Sequence, residues 1–283
     1  MPPTPWSELA PLLEEERAFV YGFGGYGLEL RGGTLVTNER IAVPSFNFVQ
    51  DLRLTPGRLA GFLERALDHY FQRAIRPELR VRESTVPLVR GVLEQLGFRE
   101  RAEPRTVHRR RAGHRDDPAS SQLEVRVARP QELARVEEFW TAEGSSDRAE
   151  FHRALDVALA HPAAEEEWLP ILAFDRSGPV SSALAHRLHG TWGIHGLATR
   201  PAARGRGAAS LTLLGTIAQC LPEPPRPVAL WADSDRLRPR LERLGFEELA
   251  RYCIFTLPPE AELAAPPVAP TPGPRWRPPR GSG

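Results

Sequence analysis

The feature that most constrains this chain is a repeat. Val92-Leu93-Glu94-Gln95-Leu96-Gly97-Phe98 matches Arg240-Leu241-Glu242-Arg243-Leu244-Gly245-Phe246 in spacing and mostly in character. Around both copies the same order is legible: strand, turn, helix, strand, short helix, Gly-Phe, strand. Repetition on this scale predicts a duplicated domain. A chain of 283 residues has room for two such units, and 41% hydrophobic with 26% charged residues is enough to pack them.

In the first copy, residues 6–16 suit a short helix and 18–33 read as strand and turn. Gly22-Phe23-Gly24-Gly25-Tyr26-Gly27 fits G-x-G-x-x-G. A dinucleotide site needs that turn to open a helix, whereas the next residues alternate like a hairpin around Gly32-Gly33, so the dinucleotide reading is rejected. Residues 46–54 alternate as a strand. Thr55-Pro56 then starts a helix, with Leu59, Phe62, Leu63, Ala66, Leu67, Tyr70 and Phe71 on one face. A short strand at 78–81, a helix at 87–96 and a strand within 98–111 complete the copy. The run His108-Arg109-Arg110-Arg111 has no interleaved aromatics and meets Asp116-Asp117 at once, so it reads as a solvated strand end.

Residues 116–122 are polar and form the expected linker. The second copy begins with a strand at 123–127, a helix from Pro130 to Trp140 and another from Asp147 to about residue 161. Strands follow at 168–175, 180–189 and 192–199. Then comes Arg204-Gly205-Arg206-Gly207-Ala208-Ala209, and a helix to Cys220. A strand, a glycine-rich turn and a helix start make an anion site, because backbone N–H groups point outward and the helix dipole favours negative charge. The small residues let a phosphate approach, and the two arginines add positive charge. The first copy has Leu54-Thr55-Pro56-Gly57-Arg58 in place of this loop. A strand at 227–232, a short helix at 237–244 and a strand at 248–257 end the second copy. Residues 258–283, rich in Pro, Ala and Gly, read as a disordered tail.

Composition excludes several classes. The net charge is +1, and all 37 basic residues are arginine, which we take as codon bias. This gives no general argument for nucleic acid, and RNA contact by the Arg/Gly loop is the weakest reading. Cys220 and Cys253 have no metal-ligand spacing, and no metal is expected. The start, Met1-Pro2-Pro3-Thr4-Pro5, is unlike a signal peptide, and no apolar run approaches bilayer length. A soluble, cytoplasmic monomer or homodimer is expected.

Residues 123 to 257 resemble the GNAT-type N-acetyltransferases. Residues 204–209 fit that family's R/Q-x-x-G-x-G/A cofactor loop, and 240–246 fit its ending around Gly-Phe. The resemblance implies an α/β (α+β) fold with two tandem GNAT-like domains, each a mixed, mostly antiparallel sheet flanked by helices. Residues 1–115 would be a degenerate copy without the loop. It further implies acetyl-CoA, or another acyl-CoA, as co-substrate. Leu197, Ala198 and Thr199 would meet the pantetheine arm, and Arg204, Gly205, Arg206, Gly207, Ala208 and Ala209 the pyrophosphate. The chemistry would be direct attack on the thioester by an amine of a small molecule or peptide.

Where the family often places a glutamate as base, this chain has His195, which is either the general base or a packed strand histidine. His186 and His189 are further candidates. The family's tyrosine acid falls on Leu241, with Leu93 in the first copy; Tyr252, alone among tyrosines in the second half, reads as core or pocket lining. Either water protonates the thiolate, or the protein is a weak or inactive acyl-CoA sensor or scaffold. The acceptor pocket is expected from the 130–165 helices and loops of both copies, including the 22–27 turn, with Glu143, Asp147 and Glu150 as candidates to attract a cationic amine.

Overall fold

The computed structural model describes residues 4–53, 55–111, 114, 123–141, 155–156, 158–159, 167–220, 227–233 and 235–258. The expected linker at 116–122, most of the 147–161 helix, Glu143, Asp147 and Glu150, and the tail from 259 onward lie outside these residues.

In the first half, helix α1 (Trp6–Gly22) precedes strands β1 (Tyr26–Leu30), β2 (Gly33–Thr37) and β3 (Phe48–Gln50). Helix α2 (Pro56–Phe71), β4 (Glu78–Arg82), α3 (Val86–Gln95), β5 (Arg99–Glu100) and β6 (Arg105–Arg110) follow. The second half runs β7 (Glu124–Val127), α4 (Leu133–Thr141), β8 (Glu167–Asp175), β9 (Gly178–Leu188) and β10 (Thr191–Thr199). It ends with α5 (Ala208–Cys220), β11 (Val228–Ala232), α6 (Arg238–Arg243) and β12 (Phe246–Thr256).

The halves do not keep separate sheets. One sheet runs β1-β2-β3-β4-β12-β6-β11-β10-β9-β8-β7, with β5 against β12. Each half gives its last strand to the other: β12 pairs with β4 of the first half, β6 pairs with β11 of the second, and the two donated strands pair with each other. Every contact is antiparallel except β3 with β4 and β10 with β11, which occupy matching places on either side of the exchange.

This arrangement explains the basic run. His108 to Arg110 is paired on both sides within the sheet, where His108 is buried and the part-exposed Arg109 pairs with Glu8 and Glu247; Arg111, just past the strand, is exposed as a solvated end. Helix α2 forms as its pattern predicts, burying Leu59, Phe62, Leu63, Ala66 and Tyr70. The Tyr70 hydroxyl sits 2.8 Å from the carbonyls of Val36 and Phe48, so its burial leaves no polar atom stranded.

Helix α1 departs most from the pattern, continuing to Gly22 through residues expected as strand. It lies across the middle of the sheet. Leu9, Leu12 and Leu13 pack on Val107, Ala229, Tyr252 and Ile254 of the exchanged region. Phe19, Val20 and Phe23 pack on Trp168 and Leu184 of the second half. Between these two apolar patches the helix buries consecutive acids, Glu15 and Glu16. Glu16 accepts from Arg80 at 2.8 Å and from Arg105 at 2.7 Å, and Arg80 also bonds Glu78 and stacks on Phe48. This ion cluster sits beside the place where β3 and β4 part in the first half.

Candidate active site

Strands β10 and β11 are in register only from Trp192 to Ile194, opposite Val228 to Leu230. Beyond Ile194 both strands continue but no longer pair, so an opening forms between them. On its other side, β10 shifts register against β9 between His195 and Ala198. Gly196, at φ +56°, provides the left-handed turn of this bulge. A bulge leaves backbone groups outside the ladder, and here they belong to Gly196 and Leu197. Isolated glycine within a strand pattern is the sequence signal that marks such a bulge.

The Arg/Gly loop follows directly. Pro201–Ala203 forms one 3-10 turn, Arg204 Nε donates to the Thr199 carbonyl at 3.1 Å, and α5 begins at Ala208. Gly205 and Gly207 have φ of +78° and +83°, a conformation that L side chains resist, and a Cβ at either would meet open space. The loop is therefore held by backbone geometry with clear room in front of it. Leu211 N–H bonds the Gly207 carbonyl, while the N–H groups of Ala208 and Ala209, in the first turn, have no intrahelical acceptor. Glu138, Phe139, Ala198, Thr199, Pro201 and Arg204 line a cavity of about 220 Å³ beside the loop. Ala198, Thr199 and Arg204 thus face one cavity, between the strand opening and the helix start.

His195 is the last residue before the bulge. Its ring stacks on Phe19 at 3.7 Å and on Trp231 at 5.0 Å. His195 Nε2 lies 3.0 Å from Glu15 Oε1, and His186 Nδ1 lies 2.8 Å from the same oxygen. Burial alone would raise the Glu15 carboxyl; His195 and His186 outweigh it and hold the group below the usual carboxylate range. The chain therefore brings His186 and His195 together. His189 is apart from them, exposed in the turn that follows β9. The ligand atoms of Glu15, His186 and His195 lie within 4.8 Å of one another, which is also a composition able to hold a cation. Sequence reasoning had no means to find Glu15, which sits 180 positions from His195 in the other half.

No acid is found at the expected positions. Leu241 is buried among Leu213, Leu230 and Phe246. Tyr252 lies on β12, three strands from β10, or about 14 Å across the sheet. Its phenol is buried, and burial pushes its pKa upward. The 22–27 turn reaches the second half: at Gly22, a Cβ would collide with Trp168.

No protein-family model matches the chain, and no curated protein does. Solved structures do. A GCN5-related N-acetyltransferase from Kribbella flavida superposes with a TM-score of 0.62 at 16% identity, over 86% of this chain and 94% of that one. One from Sphaerobacter thermophilus gives 0.58 at 18%, over 90% and 94%. A tandem GNAT protein from the clavulanic acid biosynthesis pathway gives 0.54 at 14%, over 80% and 78%. At such identities the likeness speaks for architecture, and together with the parted parallel strands and their repeat it shows that this chain has the fold of the GCN5-related N-acetyltransferases in tandem form.

Proposed function

We propose that the protein is an N-acyltransferase that moves an acetyl or other acyl group from acyl-CoA to an amine of a small molecule or peptide. The observation that carries this reading is the direct succession of the opening beyond Ile194, the bulge at Gly196 and the loop at 204–209. Among the described residues only the second half offers all three, so one acyl-CoA per chain is expected.

The loop and the first turn of α5 would hold the pyrophosphate, and the backbone of Leu197, Ala198 and Thr199 the pantetheine arm. A backbone N–H at the bulge would donate to the oxyanion as the amine nitrogen adds to the thioester carbon. His195 would take the proton that the amine loses as the C–N bond forms. The C–S bond then breaks, and with Leu241 in the usual acid position the thiolate takes its proton from water.

Leu241 also supports a second reading, in which acyl-CoA is bound without turnover by a sensor or scaffold. Isothermal titration with acetyl-CoA and CoA tests the site. Binding to wild type that is lost in Gly207→Trp is expected; absence of wild-type binding, or equal binding by the variant, removes the assignment. Thiol release over a panel of amines then separates enzyme from sensor.

A further inference from the structure

Among the described residues of the first half, Glu15 reaches His195 with a charge. Its carboxylate is wholly buried, and Oε1 is shared between His195 Nε2 and His186 Nδ1. An ionised carboxylate only accepts hydrogen bonds, so each ring nitrogen facing it carries the hydrogen. For His195 this selects the Nε2–H tautomer and leaves the lone pair on Nδ1, the nitrogen turned away from Glu15. Stacking on Phe19 and Trp231 restrains ring rotation, and only 6% of the side chain remains exposed.

The floor of the arrangement fits the same role. Residues 193 and 195 face the same side of β10, because side chains alternate along a strand. At 193 there is a glycine, and the Glu15 carboxylate fills the space a Cβ would need. A side chain at 193 would push the carboxylate off the histidine two residues on.

We propose that Glu15 is the positioning residue of His195, so that the catalytic centre is assembled from both halves of the chain. The second half brings the acyl-CoA loop, the strand opening and the base. The first half, which lacks a cofactor loop, brings the carboxylate that sets the tautomer of that base. When His195 Nδ1 takes the proton of the attacking amine, the resulting imidazolium stays bonded through Nε2–H to a buried anion, and Glu15 itself gains no proton. This assignment rests on His195 acting as the base.

The test is made on the full chain. Ring ¹⁵N spectra of His195, assigned by difference against His195→Gln, report its neutral tautomer directly. Wild type is expected to show Nε2–H alone, and Glu15→Gln a mixture of both tautomers. Acetyl-CoA affinity of folded Glu15→Gln should stay within about twofold of wild type, while kcat for the best amine of the panel falls about 100-fold. If Glu15→Gln does not fold, Glu15→Asp keeps the buried charge but withdraws the oxygen, and it should relax the tautomer preference with a fall in kcat of about tenfold. An unchanged tautomer population in the folded variant overturns the proposal. So does one equivalent of zinc in purified wild type that Glu15→Gln loses, since the three groups would then be a metal site. Loss of the function reading has a different signature: wild type fails to bind acetyl-CoA, whatever the tautomer of His195.

Discussion

Gly193 lies directly against the Glu15 carboxylate, with no space for a Cβ between them. The fit joins the middle of β10 to a helix more than half the chain away. Gly193→Ala must therefore displace a buried charge bonded to two histidines, and it cannot do so by a small side-chain rotation because Glu15 is enclosed by α1 and the sheet. Overpacking alone costs about 1–3 kcal/mol, and loosening a buried ionic contact adds to it. We expect a loss of about 2–4 kcal/mol by denaturant unfolding. A loss below about 1 kcal/mol would mean that the carboxylate is free to move.

The Glu15 carboxyl also gives stability an acid limb. Its pKa is held below the ordinary value of 4.5 in the folded chain, where burial opposes ionisation and the two histidines favour it. A carboxyl depressed in this way binds its proton more weakly folded than unfolded. Its contribution is complete above 4.5 and is lost as the pH falls through the folded value. The stability gap between wild type and Glu15→Gln should therefore narrow from about pH 5 to about pH 3. Other depressed carboxyls, such as Asp233 beside Arg105, are common to both proteins and cancel in the difference. Parallel curves across that range would show that Glu15 does not titrate as an ion-paired group.

Much of this architecture was legible in the sequence because it is local. The α2 face, the hairpin at Gly32-Gly33 and the Gly-Phe endings follow from periodicity and turn residues, and all stand where they were expected. The loop at 204–209 was legible for the same reason. Helix α1 was legible only over 6–16; its continuation to Gly22 and the burial of Glu15 and Glu16 were not, because their partners, His195 and Arg80, lie far along the chain. The burial of His108 was hidden likewise: a run of basic side chains suggests solvent, and only the pairing of β6 with β11 and β12 puts His108 inside. Strand exchange is a choice of partner between like strands, and alternation within each strand carries no trace of it.

That exchange makes a strong prediction about fragments. Residues 1–115 alone would leave β4 without β12, and β6 without both of its neighbours, exposing long unpaired edges. Residues 116–283 alone would lose β6 from between β11 and β12, and lose α1 from above His186 and His195. Each fragment is expected to be insoluble or self-associated by itself. Co-expressed, the two should purify as a one-to-one complex that unfolds in a single transition. A fragment 1–115 that is monomeric and unfolds cooperatively would show that the shared sheet is not needed for the first half to fold.

Tyr252 offers the sharpest separation between a structural and a chemical role. Its ring is packed against Val107, Ala229 and Ile254, and its hydroxyl is buried with no hydrogen-bond partner among the described residues. A buried hydroxyl in that state costs stability, so removing it should help or do nothing. Tyr252→Phe keeps the ring and deletes only the oxygen, and we expect a change between zero and about 1 kcal/mol in favour of the folded state. Two strands, β11 and β6, separate the residue from the opening beside β10, so acetyl-CoA affinity and any turnover should also be unchanged. A fall of tenfold or more in turnover at constant affinity would instead assign the missing proton to Tyr252, and would require the acyl group to lie far closer to β12 than the loop at 204–209 allows.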